Sequence, residues 1–256
     1  VGFVGFLLAR YKQASVAIER MVRLLQGAPP LSLVTHKPVH LSGPLPEIPF
    51  VPKTAVHQLH QLTVRHLSYH HPDSGRGITE INLNLAKGSF TVITGRIGAG
   101  KTTLLRALLG LLPHQSGEIY WNGKPVAQPA EFFVPPRTAY TAQVPRLFSD
   151  TLRQNLLLGL PETQVNIPAA IEAAILHEDV TLLENGLDTM VGTKGVKLSG
   201  GQIQRTATAR MFLRQAELYV FDDLSSALDV ETEQQLWSQL FDSKIVEGEK
   251  TTCLVV

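Results

Sequence analysis

The chain has almost no cysteine, no apolar run long enough to span a bilayer, and no excess of charge of either sign. Its one cysteine, Cys253, excludes an internal disulfide and fits a reducing compartment. Within the run CLVV it reads as a buried, inert thiol. Lys and Arg number 23 against 22 Asp and Glu, so bulk charge makes no case for a nucleic-acid partner. The apolar stub VGFVGFLLA at residues 1–9 falls short of the roughly 20 residues a membrane-spanning helix needs. No cleavable signal pattern is visible, and no internal repeat. The chain starts on Val and stops inside TTCLVV, which reads as a strand without its continuation; a fragment at both ends is the expectation.

What is present fits one sizeable α/β domain with an appendage. Ala14, Ala17, Ile18, Met21 and Leu25 recur at helical spacing among Arg10, Lys12, Arg20 and Arg23, and Gly27 with Pro29 and Pro30 ends that helix. A hydrophobic stub running into a basic amphipathic helix suits a membrane helix emerging on the cytoplasmic side. It also suits an ordinary surface helix. Residues 28–56 carry seven prolines and read as an extended connector. From about His57 strands and helices alternate: HQLTVRHLSY, ITEINLNLA and a buried SFTVIT as strands. KTTLLRALLGLL reads as a helix with Leu104, Leu105, Leu108 and Leu112 on its apolar face and Pro113 as its stop. GEIYWNGKPV reads as a hairpin turning at Asn122-Gly123. Such interleaving implies a largely parallel sheet covered on both faces.

The first chemical motif is Gly95, Arg96, Ile97, Gly98, Ala99, Gly100, Lys101, Thr102, Thr103. It completes G-x-x-x-x-G-K-T between a strand and a helix. Glycines let the backbone curl so that successive N–H groups face phosphate oxygens, Lys101 adds a point charge, and the Thr102 hydroxyl suits Mg²⁺. The helix N-terminus favours the same anions. Such a loop needs an acid to hold the metal. LYVFDD places Asp222 at the carboxyl end of an apolar strand, where an Mg²⁺ partner belongs.

A second glycine motif, Leu198, Ser199, Gly200, Gly201, Gln202, leads directly into another helix and forms another anion-ready terminus. Two phosphate-type loops and one metal-binding Asp fit a nucleotide clamped between two copies of the domain. LSGGQ shortly before the strand-Asp motif, with G-x-x-x-x-G-K-T upstream, resembles the ATP-binding cassette of ABC transporters over roughly residues 57–256. The resemblance implies a P-loop NTPase (RecA-like) core with an antiparallel β subdomain and a helical signature subdomain. It implies ATP and Mg²⁺ as ligands, a second cassette as partner, and in-line hydrolysis of the phosphoanhydride. LSYHHPDSGRGITEINLNLAKGSFTVITG looks like the region that sets an aromatic, here Tyr69, against adenine. TAQVPRLFSDTLRQNLLLG is similar to the stretch at the family's lid glutamine, here Gln143, a further metal ligand. SSALD resembles the loop crossing to the partner, with Asp229 as its aspartate. RYKQASVAIERMVRLLQ looks like the last membrane helix of an exporter half-transporter running into its cassette. Residues 1–27 are then the end of that helix, 28–56 the linker, and 57–256 the cassette, truncated before the family's switch histidine. The membrane domain of the same chain, a cell-membrane location with this domain on the cytoplasmic face, and an unidentified transported substrate are further implications of the resemblance.

The chain departs from the family pattern in three places. Asp223 stands where hydrolysing cassettes usually carry the Glu that polarises the attacking water. Its carboxylate is one methylene shorter, in a role worth roughly 10²–10⁴-fold. Thr193 stands where exporters often have an acid facing the coupling elements. None of the nine histidines occupies the switch position, and His70 and His71, beside Tyr69, read as surface residues. Two versions remain open: a homodimer with Asp223 as base, or a heterodimer in which this half hydrolyses slowly while its LSGGQ completes the partner's site. A soluble ABC-type ATPase acting on nucleic acid or ribosomes, and a nucleotide-gated dimerisation module without turnover, are the rivals. A small-molecule kinase would not require LSGGQ.

Overall fold

A computed structural model describes residues 2–25, 50–113, 115–193, 195–223, 228–241 and 251–256. The chain divides into two units, residues 1–47 and 48–256. In the first, stub and amphipathic segment form one helix, α1 (Gly2–Leu25). Its basic side chains interrupt the apolar surface, and no helix among the described residues is long and apolar enough to cross a membrane. Most of the proline-rich connector lies outside the described residues.

The second unit holds two four-stranded sheets. In chain order its elements are β1 (Gln61–His70), β2 (Gly77–Ala86), β3 (Phe90–Val92), α2 (Lys101–Leu108), β4 (Ser116–Trp121), β5 (Lys124–Pro125), α3 (Pro129–Phe132) and β6 (Thr138–Thr141). Then come α4 (Leu152–Leu157), α5 (Ile167–Ala173), α6 (His177–Leu182), α7 (Gly200–Phe212), β7 (Leu218–Phe221), α8 (Val230–Phe241) and β8 (Thr252–Val255). One sheet has the order β2-β1-β4-β5 and is antiparallel; the other has the order β3-β8-β7-β6 and is parallel. Half the strands are thus antiparallel, because β1–β2 and β4–β5 are joined by short turns that permit nothing else. The hairpin turns at Asn122-Gly123 as the sequence indicates, with φ of 54° and 77°.

Buried strands of a parallel sheet are apolar on both faces, and β7 illustrates why. Leu218 and Val220 join one core cluster with Leu105 and Leu108 of α2 and with Leu62, Leu67 and Trp121 of the antiparallel sheet. Tyr219 and Phe221 join the other, with Leu156 of α4, Ile171 of α5, Phe212 of α7 and Leu236 of α8. Helix α2 ends earlier than expected. Gly110, at φ 72°, takes the left-handed conformation, and a Cβ there would lie 2.2 Å from the Ala130 nitrogen. The strand before the glycine loop also differs from its reading. Only Phe90–Val92 pairs, with β8 on one side, so Val92 at the sheet edge is exposed.

Candidate functional site

All four parallel strands end on the same side, and the residues just beyond their carboxyl ends gather there. The glycine loop comes after β3, Gln143 after β6, and Asp222 and Asp223 after β7. Strand β8 brings Val256 alongside, whose carbonyl accepts the Asp223 N–H at 3.0 Å. Residues separated by more than a hundred positions therefore meet at one rim.

The loop is open to solvent, and Ile97 at its tip is fully exposed. Gly100 caps α2 in the left-handed conformation, φ 91°, with space for a Cβ closed by the Gly77 carbonyl and Ile78 at 3.0 Å. Lys101 folds back over the loop, donating through Nζ to the Gly95 carbonyl at 3.1 Å and the Arg96 carbonyl at 3.4 Å.

Asp222 is wholly buried and fully engaged. Its Oδ1 accepts from the Thr102 hydroxyl at 2.7 Å, and its Oδ2 from the Tyr140 hydroxyl at 3.0 Å. Burial, with the Asp222 charge adding and Arg106 opposing, holds the Tyr140 phenol above its ordinary pKa, so it stays a donor. Sequence reasoning missed Tyr140; its signal was its position in β6, beside β7, one residue short of the strand end. Asp223 adopts φ 56° and accepts from Gln143 Nε2 at 2.7 Å.

Tyr69 is the ring expected to face adenine. It is 6% exposed and belongs to the same core cluster as Leu104 and Leu105 of α2, in a stretch of β1 where Leu67, Ser68 and Tyr69 are all buried and the register with β2 is irregular. The ring at the site's edge is His71, just past the strand end. It packs edge-on against Tyr69 with centroids 4.9 Å apart, and its Nε2 lies 3.4 Å from the Thr103 hydroxyl. Neither histidine is a free surface residue: His70 Nε2 lies 3.1 Å from the Thr79 hydroxyl.

The second glycine motif lies elsewhere. Ser199 caps α7 in a reciprocal capping box with Gln202. Leu198 packs with Leu152 and Val191 in a separate small cluster, and among the described residues no hydrogen bond joins this motif to the glycine loop. Gly201 comes next within α7. Asp229 caps α8, accepting the Thr232 N–H and hydroxyl, each at 2.8 Å; the rest of SSALD lies outside the described residues. Thr193 pairs its hydroxyl with that of Ser149 at 2.7 Å.

A glycine loop capping a helix, beside a carboxylate at the end of a parallel strand, defines an α/β domain of the P-loop NTPase class. The family model described as ABC transporter matches residues 78–226. The chain belongs to the ABC transporter family. It is 35% identical over 181 residues to the probable multidrug resistance ABC transporter ATP-binding/permease protein YheI of Bacillus subtilis, covering 70% of this chain and 31% of that protein. It is 36% identical over 188 residues to the ATP-dependent lipid A-core flippase of Alkalilimnicola ehrlichii, covering 72% of this chain and 32% of that one. The solved structure of a bacterial Atm1-family ABC exporter with ATP bound superposes with a TM-score of 0.69 at 25% identity, over 96% of this chain and 40% of that one. The chain thus spans about a third of the length of the curated relatives it matches.

Proposed function

We propose that this chain is the ATP-binding and hydrolysing cassette of an exporter, working on the cytoplasmic face of a membrane and paired with a second cassette. The observation that carries the reading is the convergence of Thr102, Asp222, Gln143 and Asp223 beside the glycine loop. Exporter-named relatives support the transport role. The nearly neutral charge does not favour a nucleic-acid machine.

In this reading the loop from Gly95 to Thr103, with Lys101 swung from its own carbonyls onto the β and γ phosphates, holds the nucleotide. His71 offers its ring to the adenine in place of the buried Tyr69. The donor set fits Mg²⁺, a hard ion preferring oxygen ligands: the Thr102 hydroxyl and Asp222 carboxylate already lie within 2.7 Å of each other, with the Gln143 carboxamide nearby. Bound there, Mg²⁺ would neutralise charge on the terminal phosphates. Asp223 takes the proton of the attacking water once Gln143 releases it, and Ser199 with the backbone of Gly200 and Gly201 acts on the partner's nucleotide. Its separation from the chain's own loop supports that division. Asp229 lies on the dimer-facing turn.

Asp223 also favours a second reading, the slowly hydrolysing half of a heterodimer. It is a short base, and its carboxylate accepts from Gln143 Nε2 at 2.7 Å. ATP turnover by the full chain, purified alone and beside Asp223→Asn, separates the two. Slow turnover lost in the variant makes Asp223 the base of a self-sufficient dimer. ATP binding without hydrolysis in either form excludes that dimer and calls for a partner chain. Lys101→Ala, which removes the phosphate charge, abolishes turnover by the self-sufficient dimer and, in either reading, weakens ATP binding by the chain purified alone; unchanged ATP affinity would overturn the site.

A further inference from the structure

We infer that Asp179 and Arg205 are positioning residues for the LSGGQ loop. The inference rests on the proposed function, in which Ser199 acts on the partner's nucleotide.

Ser199 is exposed, and its backbone is held by the reciprocal box with Gln202. The Ser199 N–H donates to Gln202 Oε1 at 2.8 Å, and the Gln202 N–H donates to Ser199 Oγ at 3.3 Å. The first bond needs the carboxamide oxygen of Gln202 turned toward the loop. A primary amide has no preference for that orientation by itself; its neighbours impose it. Here the neighbour is Asp179 on α6, whose Oδ1 accepts from Gln202 Nε2 at 3.2 Å. A carboxylate can only accept, so it selects the NH₂ end of the amide and turns the oxygen to Ser199.

Asp179 is fixed in turn. Arg205, one turn further along α7, grips it through both oxygens, Nε to Oδ2 at 2.8 Å and Nη2 to Oδ1 at 3.0 Å. Such a planar fork sets direction as well as attraction. Both side chains are only 15% exposed, so the pair is shielded from much of the screening that weakens surface ion pairs. The hydrogen bonds run Ser199–Gln202–Asp179–Arg205 without a gap. An ion pair serving only to hold α6 on α7 would not need the bond to Gln202.

Arg205 has a second neighbour. It lines a cavity of about 610 Å³ together with Asp229, Thr232, Glu231 and His177. Its charge is one of the influences that keep the Asp229 carboxyl below its ordinary pKa, after the bonds from Thr232. Arg205 thus lies between Asp179, which it grips, and the cavity that Asp229 also lines.

The test uses the full chain, alone or with the partner chain if turnover requires one. Steady-state ATP turnover, affinity for a ribose-labelled fluorescent ATP analogue, and melting temperature are compared for wild type, Asp179→Asn, Arg205→Lys and Ser199→Ala. Asp179→Asn should lower kcat by about tenfold or more through a misplaced Ser199, with analogue affinity within about twofold of wild type and melting almost unchanged. Arg205→Lys keeps the charge but not the fork and should fall between. Asp179→Asn combined with Ser199→Ala should be no slower than Ser199→Ala alone, since residues acting as a unit are not additive. Wild-type kcat in Asp179→Asn overturns the inference, as does an additive double variant or a kcat loss matched by lost analogue affinity. Wild-type turnover in Ser199→Ala overturns the role of the signature itself, and the inference with it.

Discussion

At the scale of single residues, two neighbouring rings differ in their surroundings, Tyr69 within β1 and His71 just past its end. Tyr69 is the ring that the resemblance sets against adenine, and here it belongs to a core cluster. His71 stands beside the helix opened by the glycine loop. Base stacking on a side chain is worth about 1–3 kcal/mol, so, if His71 carries the adenine as proposed, His71→Ala should weaken ATP binding roughly 5- to 150-fold. Tripolyphosphate affinity, measured by the same titration, should not change, and His71→Tyr should bind ATP as well as wild type or better. Equal losses for ATP and tripolyphosphate would remove His71 from the adenine site. Tyr69→Ala should instead lower folding stability by about 3 kcal/mol or more, as loss of a buried ring does, read by denaturant unfolding. The glycine loop, Asp222 and Gln202 were legible in the sequence because each motif is local. Tyr140 and Asp179 were not, since each matters only through a partner on another element.

At the scale of elements, the turns between strands and helices are held by buried polar staples. Asn155 on α4 is wholly buried. Its Oδ1 accepts the Phe148 N–H at 2.8 Å, and its Nδ2 donates to the Phe148 and Thr151 carbonyls, each at 3.0 Å. Arg210 of α7 donates through Nε to the Asn155 carbonyl at 2.7 Å, near the end of α4, where a helix favours a cation. Burial, with Arg214 close by, brings the Arg210 pKa down to about 10, still charged at neutral pH. This staple fixes the path from Gln143 to α4. Asn155→Ala strands the Phe148 backbone groups and should cost about 1–3 kcal/mol per unpaired group. Denaturant unfolding checks the loss, and an unchanged midpoint would show that the loop re-pairs with water.

At the scale of the whole second unit, strand β7 has a polar anchor at each end. Asp222 comes directly after it, and the buried Glu217 precedes it, pairing with Lys53 at 2.6 Å and accepting the Leu59 N–H at 2.8 Å. The segment entering the unit is thereby tied to the strand that carries the acids of the site. His57 lies on the same segment, 8% exposed, its Nδ1 accepting the Thr54 N–H at 3.1 Å. Burial first, and then Arg137, lower its pKa from the ordinary 6.5, while Glu217 opposes. A histidine depressed in the folded state adds stability that is complete above its unfolded value and is lost as pH falls through its folded one. Wild-type stability should therefore decline below about pH 6.5 by a component that is missing from His57→Gln, measured by unfolding across that range. Identical pH profiles for the two proteins would exclude this role.

The sequence alone determined the phosphate loop, the acid after an apolar strand, the hairpin at Asn122-Gly123 and the capped signature helix. Each of these is written in adjacent residues, where glycine conformation, helix capping and strand periodicity act within a few positions. Only the tertiary structure decided which strands run parallel, which aromatic faces the loop, and which carboxylate orients Gln202. Those outcomes depend on burial and on partners brought together by the sheet order β3-β8-β7-β6. A side chain's environment is set by the elements packed around it, and in this fold those elements come from opposite ends of the domain.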